Sequence, residues 1–254
     1  MFPELHFVVG GTHVTVALHA LCVVLAVAAA TGLIAWRTPD ALPAALACTF
    51  AALLGARIWY RLFRGGPVDF WSGGLASTGG IIAVAGAIFL AARLARHPPL
   101  ALFDALAPPG ILALGIGRVG CFLGGCCYGR PTTLPWGVIF PDLGPPARHP
   151  LQLYSAVADV TLAAFLPAAG PTGTTTRAAA LGLGLVRAGL ETLRDPSATD
   201  YVPGTAIPLP QAAALLLAFG ALVVPYIRRG LRARSNIDYG SAAKERIAWR
   251  MRKR

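Results

Sequence analysis

The chain has 254 residues, of which 56% are hydrophobic and only 13% are charged, and its mean hydropathy is +0.62. A water-soluble domain has about 25% charged residues, so the composition excludes an ordinary soluble enzyme. It indicates a polytopic membrane protein, with room for about seven spans of roughly 20 residues each. The N-terminal segment lacks the basic region of a cleaved signal peptide, so the first span is expected to be retained.

The apolar segments predict an all-α fold of seven transmembrane helices within a domain over residues 1–227. In chain order the spans are expected over residues 14–36, 41–63, 73–95, 100–123, 150–169, 177–194 and 207–227. The fourth span is expected to be broken at Pro108-Pro109-Gly110, because two prolines remove two helical hydrogen bonds.

The net charge of +11 is unevenly distributed, because ten of the 22 lysines and arginines follow Ile227. Basic residues beside a span stay on the cytoplasmic side. Residues 228–254 are therefore predicted to form a basic cytoplasmic tail that is attracted to anionic membrane lipids, and no nucleic-acid partner is predicted. With seven spans, the N-terminus would lie outside.

The remaining twelve basic residues are all arginines, and this topology puts eight of them on or near the outer side. They are Arg57, Arg61, Arg64, Arg118, Arg130, Arg148, Arg187 and Arg194. Arginine in or beside a span is costly, and the nearby acids are too few to pair with all eight. The pattern predicts a site for an anion near the outer interface, with structural ion pairs as the alternative.

Two short patterns add polar groups to this arginine-rich end. Arg187, Glu191 and Arg194 share one helical face at i, i+4 and i+7, which suits either an anion site or an ion-pair ladder. Arg148 and His149 precede a helix start at Pro150. His149 is a candidate general base, since histidine titrates near neutral pH, or a hydrogen-bonding residue at the helix start.

The five cysteines divide into two groups. Cys22 and Cys48 lie in apolar segments and are expected to be packed residues. Cys121, Cys126 and Cys127 form a C-x4-C-C pattern on the expected outer side, where disulfides are permitted. They fit a disulfide, simple packing or a reactive thiol near arginines. Metal ligation is a further alternative, although the spacing is not a standard zinc pattern and no second ligand pair lies nearby; no metal or other cofactor is predicted.

At this stretch the chain resembles a known family. Residues 117–130, GRVGCFLGGCCYGR, resemble G-R-x-G-N-F-x-N-G-E-x-x-G-R, the signature of prolipoprotein diacylglyceryl transferases. Further similar motifs occur in the family's order at Gly55-Ala56-Arg57, Gly73-Gly74-Leu75 with Gly79-Gly80, Asp104, Arg148 to Tyr154, Arg187 to Pro196, and Gln211. The resemblance covers residues 14 to 227.

The resemblance implies a bacterial inner-membrane enzyme of seven helices with its site toward the periplasm. The family moves the diacylglyceryl group of phosphatidylglycerol onto the lipobox cysteine thiol of a preprolipoprotein and releases glycerol phosphate. By this resemblance Arg118 and Arg187 would hold the phosphate, Glu191 would orient Arg187, and His149 would remain as base. Substrate contacts would come from Arg57, Cys121, Gly129, Arg130, Arg148, Gln152, Tyr154 and Arg194.

The chain departs from the family pattern at positions that matter for the chemistry. Cys121, Gly124 and Cys126 stand for the two asparagines and the glutamate of the signature, and Thr78 and Ser155 stand for a histidine and a second glutamate. A thiolate at Cys126 or Cys127 could replace the carboxylate as base or accept the transferred group itself. The alternatives are another thiol acceptor, a non-catalytic relative that binds lipid or lipoprotein, and a membrane thiol oxidoreductase using the three cysteines with an acceptor such as a quinone.

Overall fold

The computed structural model describes residues 4–9, 12–64, 77–94, 98–167, 170–198, 204–208 and 210–223. This part of the chain contains seven α-helices: α1 Leu18–Arg37, α2 Leu42–Arg64, α3 Ser77–Leu94, α4 Pro99–Leu123, α5 Leu151–Phe165, α6 Thr174–Glu191 and α7 Pro210–Val223. The motif at Gly73-Gly74-Leu75, the end of the seventh expected span and the basic tail lie outside the described residues.

An antiparallel hairpin precedes the first helix and was not predicted. Strand β1, Glu4–Val9, pairs with strand β2, Thr12–Ala17. The first span was expected from residue 14, but α1 begins at Leu18. Four of the six residues of β2 are β-branched, which explains the difference, since such residues favour a strand over a helix. The rest of the described regular structure is helical, as predicted.

Several helices have the length and composition of membrane spans. Three are long and apolar enough to cross a bilayer, over Leu18–Arg37, Pro39–Leu62 and Pro99–Leu123. The apolar helices over Gly79–Leu94, Leu151–Phe165 and Pro210–Val223 are shorter. Large apolar side chains cover the outer faces of the bundle, with Phe165 83% exposed and Leu94 77% exposed. This surface fits a lipid environment; seven spans and the sides of the two termini stay predictions.

Helix α4 is continuous, so the prediction of a break in it was wrong. The helix runs through Pro108 and Pro109, and both prolines are buried. The fixed φ of proline is itself helical, and each ring removes only one donor from the ladder. The remaining hydrogen bonds of the 25-residue helix keep it intact through the pair.

Small residues allow the helices to approach closely. A Cβ on Gly55 of α2 would lie 2.6 Å from the carbonyl oxygen of Gly79 in α3. A Cβ on Gly120 of α4 would lie 2.9 Å from the Cβ of Cys22 in α1. In a membrane such contacts replace the hydrophobic effect as the source of helix association.

Helices α4 and α6 begin at the same end of the bundle. The Asp104 carboxylate in α4 accepts hydrogen bonds from the backbone of Gly173 at 2.5 Å and of Thr176 at 2.7 Å, at the start of α6. A carboxylate there satisfies unpaired amides and the helix dipole. Arg118 lies 14 residues beyond Asp104, and Arg187 lies 14 residues beyond Gly173, about 21 Å along the axis at 1.5 Å per residue. The two arginines therefore reach the same level at the far end.

Candidate active site at the ends of α4 and α6

The loop after α4 folds three cysteines together. Gly125 has φ +69° and Cys127 has φ +59°, so two left-handed residues turn the chain back toward the helix end. The amide of Cys126 donates to the carbonyl of Cys121 at 3.1 Å and closes this turn. The Sγ atoms of Cys121, Cys126 and Cys127 all lie within 4.8 Å of one another, and all three thiols are free.

The adjacent thiols of Cys126 and Cys127 are shifted in pKa in opposite directions. Hydrogen bonds from the Cys121 and Cys126 thiols, supported by the charges of Arg118 and Arg194, hold the pKa of Cys127 below its usual range. Hydrogen bonding to Cys121 and Cys127, together with burial, raises the pKa of Cys126. Of these two thiols, the one whose pKa is lowered is Cys127, although the resemblance directed attention to Cys126.

Gly129 joins three segments of backbone. Its amide donates to the carbonyl of His149 at 3.0 Å, and the amide of Arg130 donates to the carbonyl of Leu193 at 2.8 Å. A Cβ on Gly129 would lie 2.7 Å from the Cβ of His149 and 2.9 Å from the carbonyl oxygen of Leu193. The close approach expected at Gly129 is thus made to the protein's own backbone, and it ties the cysteine loop to the segments before α5 and after α6.

Arg148 is anchored by an acid from the segment after α6. Its guanidinium pairs with the carboxylate of Asp195 and lies over the Tyr128 ring at 5.2 Å. Ser197 donates to the other oxygen of Asp195 from its amide at 2.9 Å and from its hydroxyl at 2.6 Å. Burial opposes ionisation, but these Ser197 hydrogen bonds and the Arg148 charge outweigh it and lower the pKa of Asp195. Arg148 is therefore held as part of the loop framework.

His149 belongs to a short hydrogen-bonded chain. Its Nδ1 lies 3.2 Å from the Tyr154 hydroxyl, and that hydroxyl accepts from Nε1 of Trp136 at 2.7 Å. The hydrogen bond at Nδ1 fixes the orientation of the imidazole, so Nε2 is the ring nitrogen that is left to take up or give a proton. Tyr154, which was expected to line the site, thus orients His149.

The Arg187 guanidinium pairs with a carboxylate that sequence reasoning missed. Nη2 of Arg187 lies 2.5 Å from Oδ2 of Asp159 in α5. The Asp159 side chain is completely buried, and the Arg187 side chain is 16% exposed. Arg118 interacts electrostatically with both residues. A single acid inside an apolar span is a signal that could have revealed Asp159, because such residues usually have a partner or a function.

Glu191 was expected to orient Arg187, and its charge does act on that guanidinium. Oε1 of Glu191 forms an ion pair with Nε of Arg194 at 2.8 Å, while Asp159 supplies the carboxylate that contacts Arg187. The i, i+3 spacing places Glu191 and Arg194 together on the last turn, whereas Arg187 faces α5.

Arg130, expected to contact substrate, is exposed and donates from Nε to the backbone carbonyl of Arg194 at 3.2 Å.

Gln152 is the most buried polar side chain next to the cysteine loop. It is 1% exposed, and its Nε2 donates to the carbonyl of Cys126. Its Oε1 has no hydrogen-bond partner among the described residues, and the same holds for Nη1 of Arg187. A buried polar atom without a partner costs free energy, so these two atoms are available to a ligand.

The site brings together most of the residues that the sequence singled out. Arg118, Arg187 and Arg194 lie within electrostatic range of one another or of Cys127, and His149 and Gln152 are tied to the loop that carries the cysteines. Arg57 is buried in α2. Trp136 and Asp159 enter the site only through the tertiary structure.

Fold and site together define a multi-pass membrane protein whose cationic, thiol-rich site lies where two parallel helices end. A family model described as prolipoprotein diacylglyceryl transferase matches residues 7–227, and the chain belongs to this family.

The relatives carry the name phosphatidylglycerol–prolipoprotein diacylglyceryl transferase. The protein from Nitratidesulfovibrio vulgaris strain Miyazaki F is 41% identical over 117 residues, which cover 42% of this chain and 44% of that protein. The proteins from Photobacterium profundum and Pseudoalteromonas atlantica are each 32% identical, over 68% and 75% of this chain and 70% and 75% of their own lengths. The chain thus spans less than half the length of the Nitratidesulfovibrio vulgaris relative and three quarters of the length of the Pseudoalteromonas atlantica relative.

Proposed function

We propose that this protein transfers the diacylglyceryl group of phosphatidylglycerol to the cysteine thiol of a preprolipoprotein and releases glycerol phosphate. The observation that carries the proposal is the convergence of Arg118, Arg187 and Arg194 on a loop with three thiols at one end of the bundle. A lipid phosphodiester brings a negative charge to such a place, and its departure as a phosphate monoester increases that charge.

Arg118 and Arg187 hold the phosphate in this proposal. Asp159 fixes Nη2 of Arg187 and leaves Nη1 without a partner, so one edge of the guanidinium is anchored and the other can meet an oxygen of the phosphate. Stabilising charge that develops in the transition state is a large catalytic effect, and losing one such donor typically costs about 10²–10³ in kcat. The Glu191 carboxylate balances the charge of Arg194 and positions its guanidinium, as Asp159 does for Arg187.

The acceptor thiol must lose its proton before its sulfur attacks the glyceryl carbon. If Nδ1–H of His149 donates to the Tyr154 hydroxyl, Nε2 has a lone pair and can take this proton. The Tyr154 oxygen can accept from both His149 and Trp136, since it has two lone pairs. The sulfur–carbon bond then forms as the carbon–oxygen bond to phosphate breaks, and glycerol phosphate leaves with that electron pair.

The other predicted site residues divide into ligand contacts and framework. Gln152 contacts substrate through its free Oε1, and buried Arg57 adds positive charge to the lipid site. Gly129, Arg130 and Arg148 hold the loop in place through the contacts described above. Cys121 and Cys126 lie beside the reacting groups.

We further propose the bacterial inner membrane as the location, with seven spans, the N-terminus outside and the tail over residues 228–254 in the cytoplasm. The site then faces outward, where a translocated preprolipoprotein presents its lipobox. The transferase domain comprises residues 1–227.

The experiment uses the full chain in detergent with phosphatidylglycerol labelled in its glycerol headgroup. Release of labelled glycerol phosphate is followed with a lipobox peptide and with the same peptide in which serine replaces cysteine. Release that requires the cysteine peptide is expected. Arg118→Ala and Arg187→Ala should each abolish it, and Cys22→Ala, a packed cysteine in α1, is the matched control that should not.

Other outcomes would support the alternatives. Lipid binding without release would favour a non-catalytic relative. Release that continues in both arginine variants would overturn the role of these arginines. Peptide-independent oxidation and reduction of the three cysteines with a quinone would favour a thiol oxidoreductase.

A further inference from the structure

The three thiols of the loop after α4 have the arrangement of an incomplete metal site. Their Sγ atoms lie within 4.8 Å of one another. Zinc–sulfur bonds of about 2.3 Å in a tetrahedron put sulfur atoms about 3.8 Å apart. The 4.8 Å limit is about 1 Å longer than this spacing, and rotation of one or two side chains would close that difference. Among the described residues the group of metal-ligating side chains stops at these three.

The loop backbone is shaped to bring these thiols together. Cys127 adopts a left-handed conformation at φ +59°, which is costly for a residue with a Cβ and persists where the surroundings enforce it. The hydrogen bond from Cys126 to Cys121 and the one from Gln152 to the Cys126 carbonyl hold this turn. The spacing in sequence gives no zinc pattern, but the folded loop supplies three soft ligands.

Cationic side chains lie within electrostatic range of the loop and can balance the charge of an ion held by thiolates. A divalent ion with three thiolates has a net charge of −1, and Arg118 and Arg194 both interact electrostatically with Cys127. Cys126 is exposed, which leaves a path for an ion to enter. Thiolate ligands select soft ions such as Zn²⁺ over Mg²⁺ or Ca²⁺.

A second observation concerns a buried polar atom beside the loop that carries this cluster. Oε1 of Gln152 is buried without a partner among the described residues, although Nε2 of the same amide binds the loop at Cys126. Gln152 is only 1% exposed. An unpaired buried acceptor on an amide that binds the cysteine loop can receive a hydrogen bond from a water or a thiol-bearing group that enters there.

We propose that Cys121, Cys126 and Cys127 bind a thiophilic divalent ion, Zn²⁺, whose open fourth position takes the thiol of the acceptor peptide. The second half of this statement rests on the proposed transferase function. Zinc sites with three protein ligands and one open position bind water or substrate. A thiol that coordinates zinc is deprotonated, so the acceptor would give its proton to Nε2 of His149 as it binds. Its sulfur then forms the bond to the glyceryl carbon, glycerol phosphate leaves, and no electron is gained or lost by the metal.

The test of the metal site needs no activity. The full chain is purified in detergent with a non-thiol reductant, stripped with a chelator and titrated with Zn²⁺, and bound metal is measured by mass spectrometry. One ion per chain with three sulfur ligands in the X-ray absorption spectrum is expected. Cys127→Ser should weaken binding by more than about 100-fold, since even changes outside the ligand shell cost 10–100-fold. Cys48→Ser, buried in α2, is the control and should leave binding unchanged.

The acceptor half is tested by adding the lipobox peptide to the zinc-loaded protein. The sulfur count should rise from three to four with the cysteine peptide and stay at three with the serine peptide. No zinc binding, binding unchanged in Cys127→Ser, or a disulfide among the three cysteines in the reduced preparation would overturn the metal site. Four sulfur ligands without glycerol phosphate release would refute the transferase function but support the metal site. Release that is unaffected by removing zinc would refute coordination of the acceptor thiol but support the transferase function.

Discussion

The ion pair between Asp159 and Arg187 gives the sharpest prediction, because no local pattern links the two residues. The Asp159 side chain is completely buried, and its carboxylate lies 2.5 Å from the guanidinium. Two unit charges whose centres are about 4 Å apart attract by about 4 kcal/mol at an effective dielectric constant near 20. Burial costs a similar amount, so the pair contributes little net stability, but removal of one partner leaves a buried charge.

Asp159→Asn keeps the shape of the side chain and removes its charge. We expect a loss of about 3–5 kcal/mol in the free energy of unfolding, the usual cost of breaking a buried pair. The kcat for glycerol phosphate release should fall about 100-fold, because a shift of about 1 Å in a positioning group has an effect of that size. The change in KM should be smaller. Asp40→Asn, an exposed acid in the 3₁₀ turn before α2, is the matched control.

A double-mutant cycle separates pairing from general damage. Asp159→Ala, Arg187→Ala and the double variant are compared by thermal unfolding in detergent. The double variant should be more stable than the sum of the single effects predicts, with a coupling of about 1–3 kcal/mol, since it leaves no unpaired charge. Strictly additive losses, or full activity in Asp159→Asn, would refute the argument that Asp159 holds Arg187 in place.

Three further predictions concern the loop and its anchors. Tyr154→Phe removes the hydroxyl that orients His149, so kcat should fall about 10²-fold with a smaller change in KM; a wild-type kcat would argue against this link. The lowered pKa of Asp195 means that its pair with Arg148 stabilises the fold above the unfolded carboxyl pKa and is lost as the pH falls through the folded pKa. Thermal unfolding in acid should therefore show a smaller loss of Tm in Asp195→Asn, which lacks this pair at every pH; equal slopes would contradict the assignment. Gly129→Ala places a methyl group against two backbone segments, and a destabilised protein with low yield is expected; a wild-type Tm would show that these segments can separate.

Much of the fold follows from local properties of the sequence. Long apolar segments predict helices, and prolines and arginines mark their ends, so all seven described helices begin within four residues of the expected positions. Two departures from the predicted fold have local causes that compete with hydropathy. The β-branched residues of Thr12–Ala17 form a strand, and the buried pair Pro108-Pro109 stays within a continuous helix.

The candidate site could be predicted as a set of residues but not as a set of contacts. Arg118, Arg187, His149 and the three cysteines stand out by type and position, and the spacing of Glu191 permits contact with either Arg187 or Arg194. The acid that pairs with Arg187 could not be predicted in this way, because the pairing depends on the rotation of α5 relative to α6. A single buried carboxylate in an apolar helix gives no periodic signal for its partner.

The sequence by itself determined that this protein lies in a membrane, that its charges gather at the expected outer ends of its helices, and that its motifs occur in the order of one family. These properties depend on composition and spacing along the chain. Only the tertiary structure paired Arg187 with Asp159, linked His149 to Trp136 through Tyr154, and brought the three thiols within 4.8 Å. Those contacts depend on helix rotation and on a left-handed turn at Cys127, which are decided by packing between segments distant in sequence.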